Sequence, residues 1–408
     1  MLDGLSICLA GINYAPDSTG IAPYNTAMAE ALRDAGADVH VVTGIPHYPE
    51  WRVKDEHYLK GSRWDEVIEG VKVTRLRHHV PPRSNLAGRA RMEASFLARA
   101  MTTIRRDRSD VVIAVTPSMS ALGAGVYGKK GRPLGVLVQD LTGNAAGESG
   151  TTGRGASRWI AGYEYSLVRS ADLVGVITPQ FGSVLAANGI EPERVVEIPN
   201  FTHITPSAST KSSARRELGW PEDQFLVVHT GNMGMKQGLD SVIEAAGISA
   251  KNNLGVTFVL VGDGNQRADL EARAGDLSTL RFVDPLGAKE YPLALAAADA
   301  LLLNERPGVR EMSLPSKLTS YTSATRPIIA ATEPGGITHS VVTSDRAAIV
   351  IAPGDPFALT EAALALSTDA PRAAIFAASA RAMHESRYAP TQAKARYVAF
   401  AKRLGGLA

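Results

Sequence analysis

The stretch Gly231–Leu239, with the sequence GNMGMKQGL, combines three glycines with one lysine. It follows the apolar run Phe225–Thr230 and precedes the helix-like segment Leu239–Ala250, so it predicts a strand-to-helix turn. Glycines at such a turn let backbone amides approach an anion, and Lys236 adds a positive charge near the start of the helix. The pattern is compatible with a diphosphate site and equally with an ordinary glycine-rich turn carrying a solvated lysine.

A second glycine turn, Asn13–Ile21 (NYAPDSTGI), follows the first apolar run directly. It also opens onto a predicted helix, which begins near Ala22 with Pro23 in its first turn. By itself this is an ordinary strand-to-helix loop. Together with the Lys236 turn, one in each half of the chain, it suggests a phosphate that is contacted from two sides.

Two other glycine patterns do not qualify as nucleotide-binding motifs. After Gly262–Gly264, Arg267 stands where a dinucleotide fingerprint needs a third glycine for close helix–strand packing. In the stretch Gly123–Lys130, a lysine replaces the Ser or Thr that holds magnesium in a P-loop. A helix that ends at a glycine is the expected structure there.

Metal ligands are scarce in the sequence. It contains no Asp-x-Asp pair, and the adjacent His78 and His79 predict a polar loop, because neighbours in sequence cannot share a helix face. The single cysteine, Cys8, lies in an apolar run and is expected to be a buried hydrophobe, which excludes an intramolecular disulfide framework. We therefore expect no metal and no cofactor.

Short apolar runs alternate with Ala- and Leu-rich helical segments along the whole chain. Strands of continuous apolar residues are typical of sheets that helices cover on both faces. The pattern therefore predicts an α/β protein with two Rossmann-like, doubly wound parallel-sheet domains facing a central cleft. The predicted strands are Leu5–Ala10, Val39–Thr43, Val71–Leu76, Val111–Val115, Leu134–Val138, Leu173–Ile177, Val195–Ile198, Phe225–Thr230, Val256–Val261, Leu280–Val283, Ala300–Leu303, Ile328–Ala331 and Ala348–Ile351.

Length and composition agree with two domains. The chain has 408 residues, and a Ser-, Thr- and Pro-rich segment at 201–222 is typical of a linker, so we place one domain at 1–203 and the other at 204–387.

A net charge of +2 argues against a nucleic-acid partner. Asp3 replaces a basic leader, and no run of about 18 apolar residues occurs, which predicts a cytoplasmic protein and leaves attachment to a membrane surface open.

One stretch of the first half is strongly basic. Seven arginines lie between Pro81 and Arg108, opposed only by Glu93 and Asp107. Apolar residues recur near helical spacing within it, so the stretch predicts an amphipathic helix. Two interpretations remain open: a helix that lies on an anionic leaflet as a peripheral membrane contact, or a core-packed helix with a solvated arginine face.

The sequence resembles the retaining glycosyltransferases of family four, which have the GT-B fold, and within them the bacterial branch of colanic-acid biosynthesis. The resemblance rests on the two turns described first and on further motifs at matching spacing over essentially the whole chain. These motifs are IPHYPEW (45–51), VQD (138–140), IPNF (198–201), LVGDG (260–264) and LPSKL (314–318).

This resemblance implies transfer of a sugar, with retention, from a nucleoside diphosphate sugar to a hydroxyl acceptor without a metal. It favours UDP as the nucleotide, and a glycan, a lipid-linked molecule or a small molecule as the acceptor. Polysaccharide, glycolipid or secondary-metabolite biosynthesis would be the setting. It also implies a final helix, at about 388–408, that packs back on the first domain.

The resemblance also implies the site residues. Lys236 would stabilise the leaving diphosphate, Asp140 would contact the sugar or acceptor, and both are assigned as catalytic. Asp17 and Gln139 are expected beside the acceptor or sugar. The donor would be bound by Gly20, Gly231, Asn232, Gly234, Val283, Asp284, Glu311, Leu314, Pro315, Ser316, Lys317 and Ser320.

The sequence departs from the family pattern at one place. Many members carry two glutamates before the motif A-x-G-x-P, and alignment on Pro327 puts Met312 and Ser320 at those positions. Ribose contact would then come from the Ser320 hydroxyl, from water or from elsewhere, and sugar recognition would shift to Glu311. A GT-B sugar-nucleotide epimerase and a catalytically weak nucleotide-sugar-binding scaffold remain alternatives.

Overall fold

The predicted alternation of strands and helices is present in the computed structural model, which describes residues 1–48, 50–82, 86–141, 154–310 and 314–407. The chain divides into two units. The first comprises Met1–Asn200 and Thr391–Ala408, and the second comprises Phe201–Pro390. Each unit is a parallel-sheet α/β domain, which confirms the predicted fold class.

The sheet of the first unit has the strand order β3-β4-β2-β1-β5-β6-β7-β8, and every neighbouring pair is parallel except β3 and β4. Its strands are β1 (Ser6–Ala10), β2 (Asp38–Gly44), β3 (Arg63–Ile68), β4 (Val71–Leu76), β5 (Val111–Val115), β6 (Leu134–Val138), β7 (Leu173–Val176) and β8 (Val195–Glu197). Its first helices are α1 (Ala22–Asp34), α2 (Leu86–Arg106), α3 (Met119–Gly128), α4 (Arg154–Val168) and α5 (Pro179–Ala187).

The sheet of the second unit is entirely parallel, in the order β11-β10-β9-β12-β13-β14. Its strands are β9 (Phe225–Thr230), β10 (Val256–Val261), β11 (Leu280–Val283), β12 (Ala300–Asn304), β13 (Ile328–Ala331) and β14 (Ile349–Ile351). Its helices are α6 (Lys211–Leu218), α7 (Asp240–Asn252), α8 (Arg267–Ala274), α9 (Glu290–Ala297), α10 (Lys317–Ser323), α11 (Ile337–Ser344), α12 (Pro356–Thr368) and α13 (Ala370–Met383).

The last helix, α14 (Pro390–Leu404), belongs to the first unit. Phe400 and Leu404 lie over β6, where a Cβ at Gly135 would be 2.6 Å from the Phe400 ring. The absence of a side chain at Gly135 therefore makes room for α14. The sheet covers the apolar face of this helix.

The sequence analysis missed strand β3. Its residues alternate between exposed and half-buried, which is the pattern of an edge strand with one covered face. Glu69 and Gly70 join it to β4, with φ angles of +46° and +75°, the conformation that a tight two-residue hairpin needs. A search for alternation around a two-residue turn would have found it.

Helix α2 is the predicted amphipathic helix of the basic stretch. Phe96, Ala100 and Ile104 are fully buried, and Met92 is nearly so. The structure therefore agrees with the core-packed interpretation, because the apolar face is already covered within the first unit. Nowhere in the described ranges does a helix combine the length and apolar character needed to cross a bilayer.

Candidate functional site

The turn Asn13–Ile21 follows β1 at the carboxyl edge of the first sheet, which is the edge where ligands bind in doubly wound folds. Gly20 has a φ of +64°, and a Cβ there would lie 3.1 Å from the ring of Tyr48. Glycine thus suits this position both for its backbone conformation and for the close approach of Tyr48.

Asp17 lies in the same turn and is half-buried. Burial raises the pKa of its carboxyl, although a hydrogen bond from Asn13 Nδ2 (3.2 Å) and the neighbouring His47 act in the opposite direction. His47 is 4% exposed, and burial lowers its pKa. The motif IPHYPEW pointed to this segment, but the sequence analysis assigned no role to His47 beside Asp17.

A buried arginine fixes this edge of the first unit. Arg75, on β4, has no exposed surface, and its Nε donates to Glu66 on β3 at 2.8 Å. Its other nitrogens donate to the carbonyl oxygens of Ala15 and Gly44. Because a buried guanidinium must satisfy its donors, Arg75 ties the hairpin to the turn that carries Asp17.

Gln139 and Asp140 follow β6 at the same edge. Thr116 holds this bend, since its hydroxyl accepts from the Gln139 amide (3.0 Å) and donates to the Asp140 carbonyl (3.2 Å). Gln139 is 9% exposed, and its Oε1 has no hydrogen-bond partner among the described residues. The Asp140 carboxylate accepts from the amide of Leu141 at 2.9 Å. An orphaned buried acceptor such as Gln139 Oε1 suits a donated hydroxyl group.

In the second unit, the turn after β9 packs backbone against backbone on the turn after β10. Gly231 and Gly262 have φ angles of +107° and +136°, and a Cβ at Gly262 would collide with the Gly231 carbonyl oxygen. The amide of Gly231 donates to Val261, and that of Gly234 donates to Gln237 Oε1. The amides of these two glycines, which were predicted to bind the sugar donor, are therefore already hydrogen-bonded within the protein.

Lys236 lies half-buried in a 3₁₀ turn, Met235–Gln237. Its carbonyl oxygen accepts from the amide of Arg306 at 2.8 Å. Asn304, at the end of β12, donates to the carbonyl oxygens of Gln237 (2.8 Å) and Gly238 (3.0 Å). The sequence analysis missed Asn304, whose signal is a polar residue at the end of an apolar strand.

Lys317 is the second lysine at this turn, and its ammonium group contacts His229. His229 is fully buried, and its Nδ1 donates to the Leu302 carbonyl (3.1 Å), which can only accept. Its Nε2 is therefore an acceptor, and Lys317 Nζ donates to it at 3.1 Å. Burial and the Lys317 charge keep the pKa of His229 well below its usual value. Lys317 Nζ thus lies beside Gly231, 3.5 Å from where a Cβ would stand.

Ser320 is buried in α10 rather than presented at the surface. Its hydroxyl donates to the Lys317 carbonyl (3.0 Å) and lies 3.0 Å from the Tyr291 hydroxyl. Tyr291 in turn contacts Thr230 Oγ1 at 3.2 Å. The structure therefore uses Ser320 in an internal hydrogen-bond network, and sequence reasoning missed Tyr291 as its partner.

The remaining donor-side predictions fall at two places. Val283 ends β11, and Asp284 is exposed, with Arg267 bridging its carboxylate (2.7 Å) to the Gly262 carbonyl (2.9 Å). The residue that broke the dinucleotide fingerprint thus links two loops of this edge. Leu314, Pro315 and Ser316 lead into α10, and Ser316 is exposed. Asn232 is exposed beside Gly234, whereas Glu311 lies outside the described residues.

The described ranges contain one group of side chains able to hold a metal ion. Ligand atoms of Cys8, His40 and Asp107 lie within 4.8 Å of one another in the first unit. His40 Nδ1 and Asp107 are already hydrogen-bonded at 2.6 Å, and burial raises the pKa of the Cys8 thiol. A metal needs the thiolate, which this environment disfavours. His78 and His79 lie after β4, as predicted.

Two family models cover most of the chain. Residues 19–200 match the Glycosyl transferase 4-like domain, and residues 224–369 match Glycosyl transferases group 1. The two matches correspond to the two units. Together with the fold, they define the class: the chain is a GT-B-type glycosyltransferase that uses nucleotide sugars.

Relatives narrow this class. The chain is 29% identical over 331 residues to the putative colanic acid biosynthesis glycosyl transferase WcaI of Escherichia coli K12, covering 78% of this chain and 80% of the relative. It is 26% identical to the 2-deoxystreptamine glucosyltransferase of Streptomyces kanamyceticus, covering 70% and 74%. It therefore belongs to glycosyltransferase family four, in the WcaI-like group.

A solved structure has the same fold over the full length. Anabaena Alr3699/HepE, in complex with UDP, superposes with a TM-score of 0.71 at 18% identity, covering 99% of this chain and 100% of the other. The same protein was solved with UDP-glucose, with a TM-score of 0.69 over the same shares of the two chains.

Proposed function

We propose that this chain is a retaining glycosyltransferase that moves a sugar from a UDP-sugar to a hydroxyl acceptor. The second unit would bind the donor, and the first unit would bind the acceptor. The observation that carries this proposal is the glycine turn after β9, which contains Lys236 and has Lys317 Nζ beside Gly231 at the carboxyl edge of the sheet. Two lysines there suit a diphosphate, because nucleotides bind at that edge in doubly wound folds.

The proposed reaction needs little covalent chemistry from the protein. The bond between the anomeric carbon and the β-phosphate oxygen breaks, and the acceptor oxygen bonds to the same face of that carbon. The acceptor's proton passes to the departing phosphate oxygen, so no protein base is required. Lys236 and Lys317 would stabilise the charge that develops on the diphosphate, as preorganised cations do in a site that excludes water. We propose that the transfer needs no metal.

The choice of UDP draws on a structurally similar protein, since Anabaena HepE was solved with UDP and with UDP-glucose. Because the Ser320 hydroxyl is engaged with Tyr291, we assign the ribose contact to other groups of this edge, with the backbone of Val283 beside the nucleobase. The relatives' names favour a role in making a surface polysaccharide or a glycosylated metabolite.

Three side chains of the first unit suit the acceptor. Gln139 offers a buried carbonyl oxygen for a donated hydroxyl, and Asp140 follows it at the strand end. Asp17 lies on the turn after β1, at the same sheet edge. We assign them to orienting the acceptor hydroxyl rather than to removing its proton.

An epimerase and a non-catalytic scaffold remain the competing functions. An epimerase would convert the nucleotide sugar without an acceptor, so mass spectrometry of the products separates it from a transferase. A scaffold would bind nucleotide sugar without turnover. No described contact favours either function over transfer. The second lysine at the glycine turn, Lys317, favours transfer, because it would stabilise a leaving diphosphate.

A thermal-shift panel tests the donor assignment. We expect UDP to raise the Tm more than ADP, GDP or dTDP, since a ligand that binds only the folded state stabilises it by mass action. Lys236→Ala should reduce the shift with UDP but not with uridine, which has no diphosphate. A larger shift with another nucleotide would overturn the choice of UDP, and a loss of the uridine shift would overturn the diphosphate role.

A further inference from the structure

A cavity in the first unit has no part in the proposed transfer step. It lies at the carboxyl ends of β2 and β4 and has a volume of about 410 Å³. Its size suits a monosaccharide-sized ligand. Its lining combines apolar side chains with two arginines and includes Ile45, Tyr58, Leu59, Arg77, His78 and Arg99.

Two arginines line this cavity. Arg77 Nη1 donates to the carbonyl oxygen of Gly61 at 3.1 Å, and Arg99 Nη1 donates to that of Ser62 at 3.2 Å. Both guanidinium groups are thus hydrogen-bonded to the backbone of the same segment. Within the described ranges, neither pairs with a carboxylate. Two cations that line one cavity without a carboxylate partner favour an anion.

The acidic residues of the arginine-rich stretch are committed elsewhere. Glu93 accepts hydrogen bonds from the amide of Ser120 (2.7 Å) and from the hydroxyl of Ser118 (3.1 Å). Asp107 is bonded to His40 at 2.6 Å. The positive charge that the sequence concentrates here is therefore not neutralised at the cavity by the stretch's own carboxylates.

Two histidines connect the cavity to Asp17, one of the residues assigned to the acceptor. His78, which lines the cavity, has its ring centroid 4.7 Å from that of His47, the neighbour of Asp17. Ile45, Tyr58 and Leu59 supply apolar surface beside the arginines. A sugar ring presents apolar C–H groups as well as hydroxyls, so this lining suits a sugar that carries an anionic group.

We propose that this cavity binds an anionic substituent of the acceptor, so that the acceptor is a sugar bearing a phosphate or a carboxylate. That the anion belongs to the acceptor rests on the proposed function, whereas the anion site itself rests on Arg77, Arg99 and the cavity. A bidentate or paired guanidinium contact would recognise either anion.

Calorimetric titration of the full chain tests this proposal. With UDP at saturation to occupy the donor site, we titrate glucose 6-phosphate, glucuronate and glucose at low salt. We expect at least one anionic sugar to bind at least about 10-fold more tightly than glucose. In Arg77→Gln/Arg99→Gln this preference should fall to within about twofold, while UDP affinity and Tm stay unchanged.

The exposed Arg105→Gln, on the same helix as Arg99 but away from the cavity, is the matched control and should keep the preference. Equal binding of all three sugars to the wild type would overturn the proposal, as would an equal loss in Arg105→Gln. If UDP does not bind the wild type, the proposed donor is wrong, and the sugar titration without UDP still decides the anion site.

Discussion

Buried polar side chains determine the local geometry of this protein. His229, Asn304 and Arg75 are each almost without exposed surface, and each holds a loop or a cation at a strand's carboxyl end. The sequence predicted the glycine turn and its lysine, because glycine spacing is visible in one dimension. It did not predict the contact of His229 with Lys317, which are 88 residues apart. A polar residue within an apolar strand was the available signal.

His229 acts as a positioning residue for Lys317. We expect His229→Leu to weaken UDP binding about 10-fold, because Lys317 Nζ loses its acceptor and moves away from the turn. His229→Gln keeps an acceptor oxygen at that place and should restore most of the affinity. Calorimetric titration of UDP measures both changes.

A double-mutant cycle separates this role from a general loss of packing. In the Lys317→Ala background, His229→Leu should cost little further UDP affinity, since the group it positions is gone. An undiminished loss in that background would contradict a positioning role.

At the scale of elements, loops at the carboxyl ends of strands carry the candidate site in each unit, and α10 adds Lys317 in the second. The sequence predicted thirteen of the strands, because a strand that is buried on both faces is a continuous apolar run in the sequence. It missed β3, since an edge strand is half-polar and short-range alternation resembles a loop. It also gave the glycine amides a ligand role, whereas those of Gly231 and Gly234 bond within the protein. Contacts between loops distant in sequence leave no periodic signal.

The packing of the two glycine turns makes Gly262 a critical position. Gly262→Ala should destabilise the chain by about 1–3 kcal/mol and lower UDP affinity, because the new Cβ displaces the Gly231 backbone. Urea denaturation and UDP titration measure these effects.

Gly255→Ala is the matched control, since Gly255 also has a positive φ (+68°) but open space around its Cβ position. It should lose stability without losing UDP affinity. Equal losses of affinity in the two variants would mean that backbone strain, not the turn contact, is responsible.

Helix α2 should not insert into a membrane, because its apolar face is buried within the first unit. We expect binding to anionic vesicles at low salt to be electrostatic only and to vanish at about 0.5 M salt, where charges are screened beyond a few ångströms. Flotation measures this directly. Vesicle binding that persists at high salt would contradict the core-packed description.

At the scale of the whole molecule, the net charge of +2 conceals a strongly uneven distribution. Arginines gather on α2 and at the cavity in the first unit, while two lysines meet a glycine turn in the second. Each sheet brings its site loops to its carboxyl edge, as the predicted doubly wound parallel sheets imply. Which cations lack a carboxylate partner could not be predicted, since it depends on contacts such as that of Asp107 with His40.

Buried histidines make the stability of the chain depend on pH. Burial lowers the pKa of His78 to about 4 from an ordinary value near 6.5. Between these values the unfolded chain binds a proton that the folded chain does not, so stability falls as the pH drops from 6.5 towards 4. By pH 5 this amounts to about 2 kcal/mol.

The difference in unfolding free energy between wild type and His78→Gln isolates this effect from other titrating groups. We expect the wild type to lose about 2 kcal/mol relative to the variant between pH 7 and pH 5. The exposed His57→Gln serves as the control. A difference that does not change with pH would show that His78 is not held neutral by burial.

The turnover of Lys236→Ala tests the central claim most directly. With the UDP-sugar that most stabilises the wild type, at saturation, the kcat for UDP release should fall about 100-fold or more, since Lys236 is assigned to charge that develops on the leaving diphosphate. Lys251→Ala, an exposed lysine at the end of α7, should leave kcat unchanged. A Lys236→Ala enzyme that keeps kcat within a few-fold of the wild type would contradict the account.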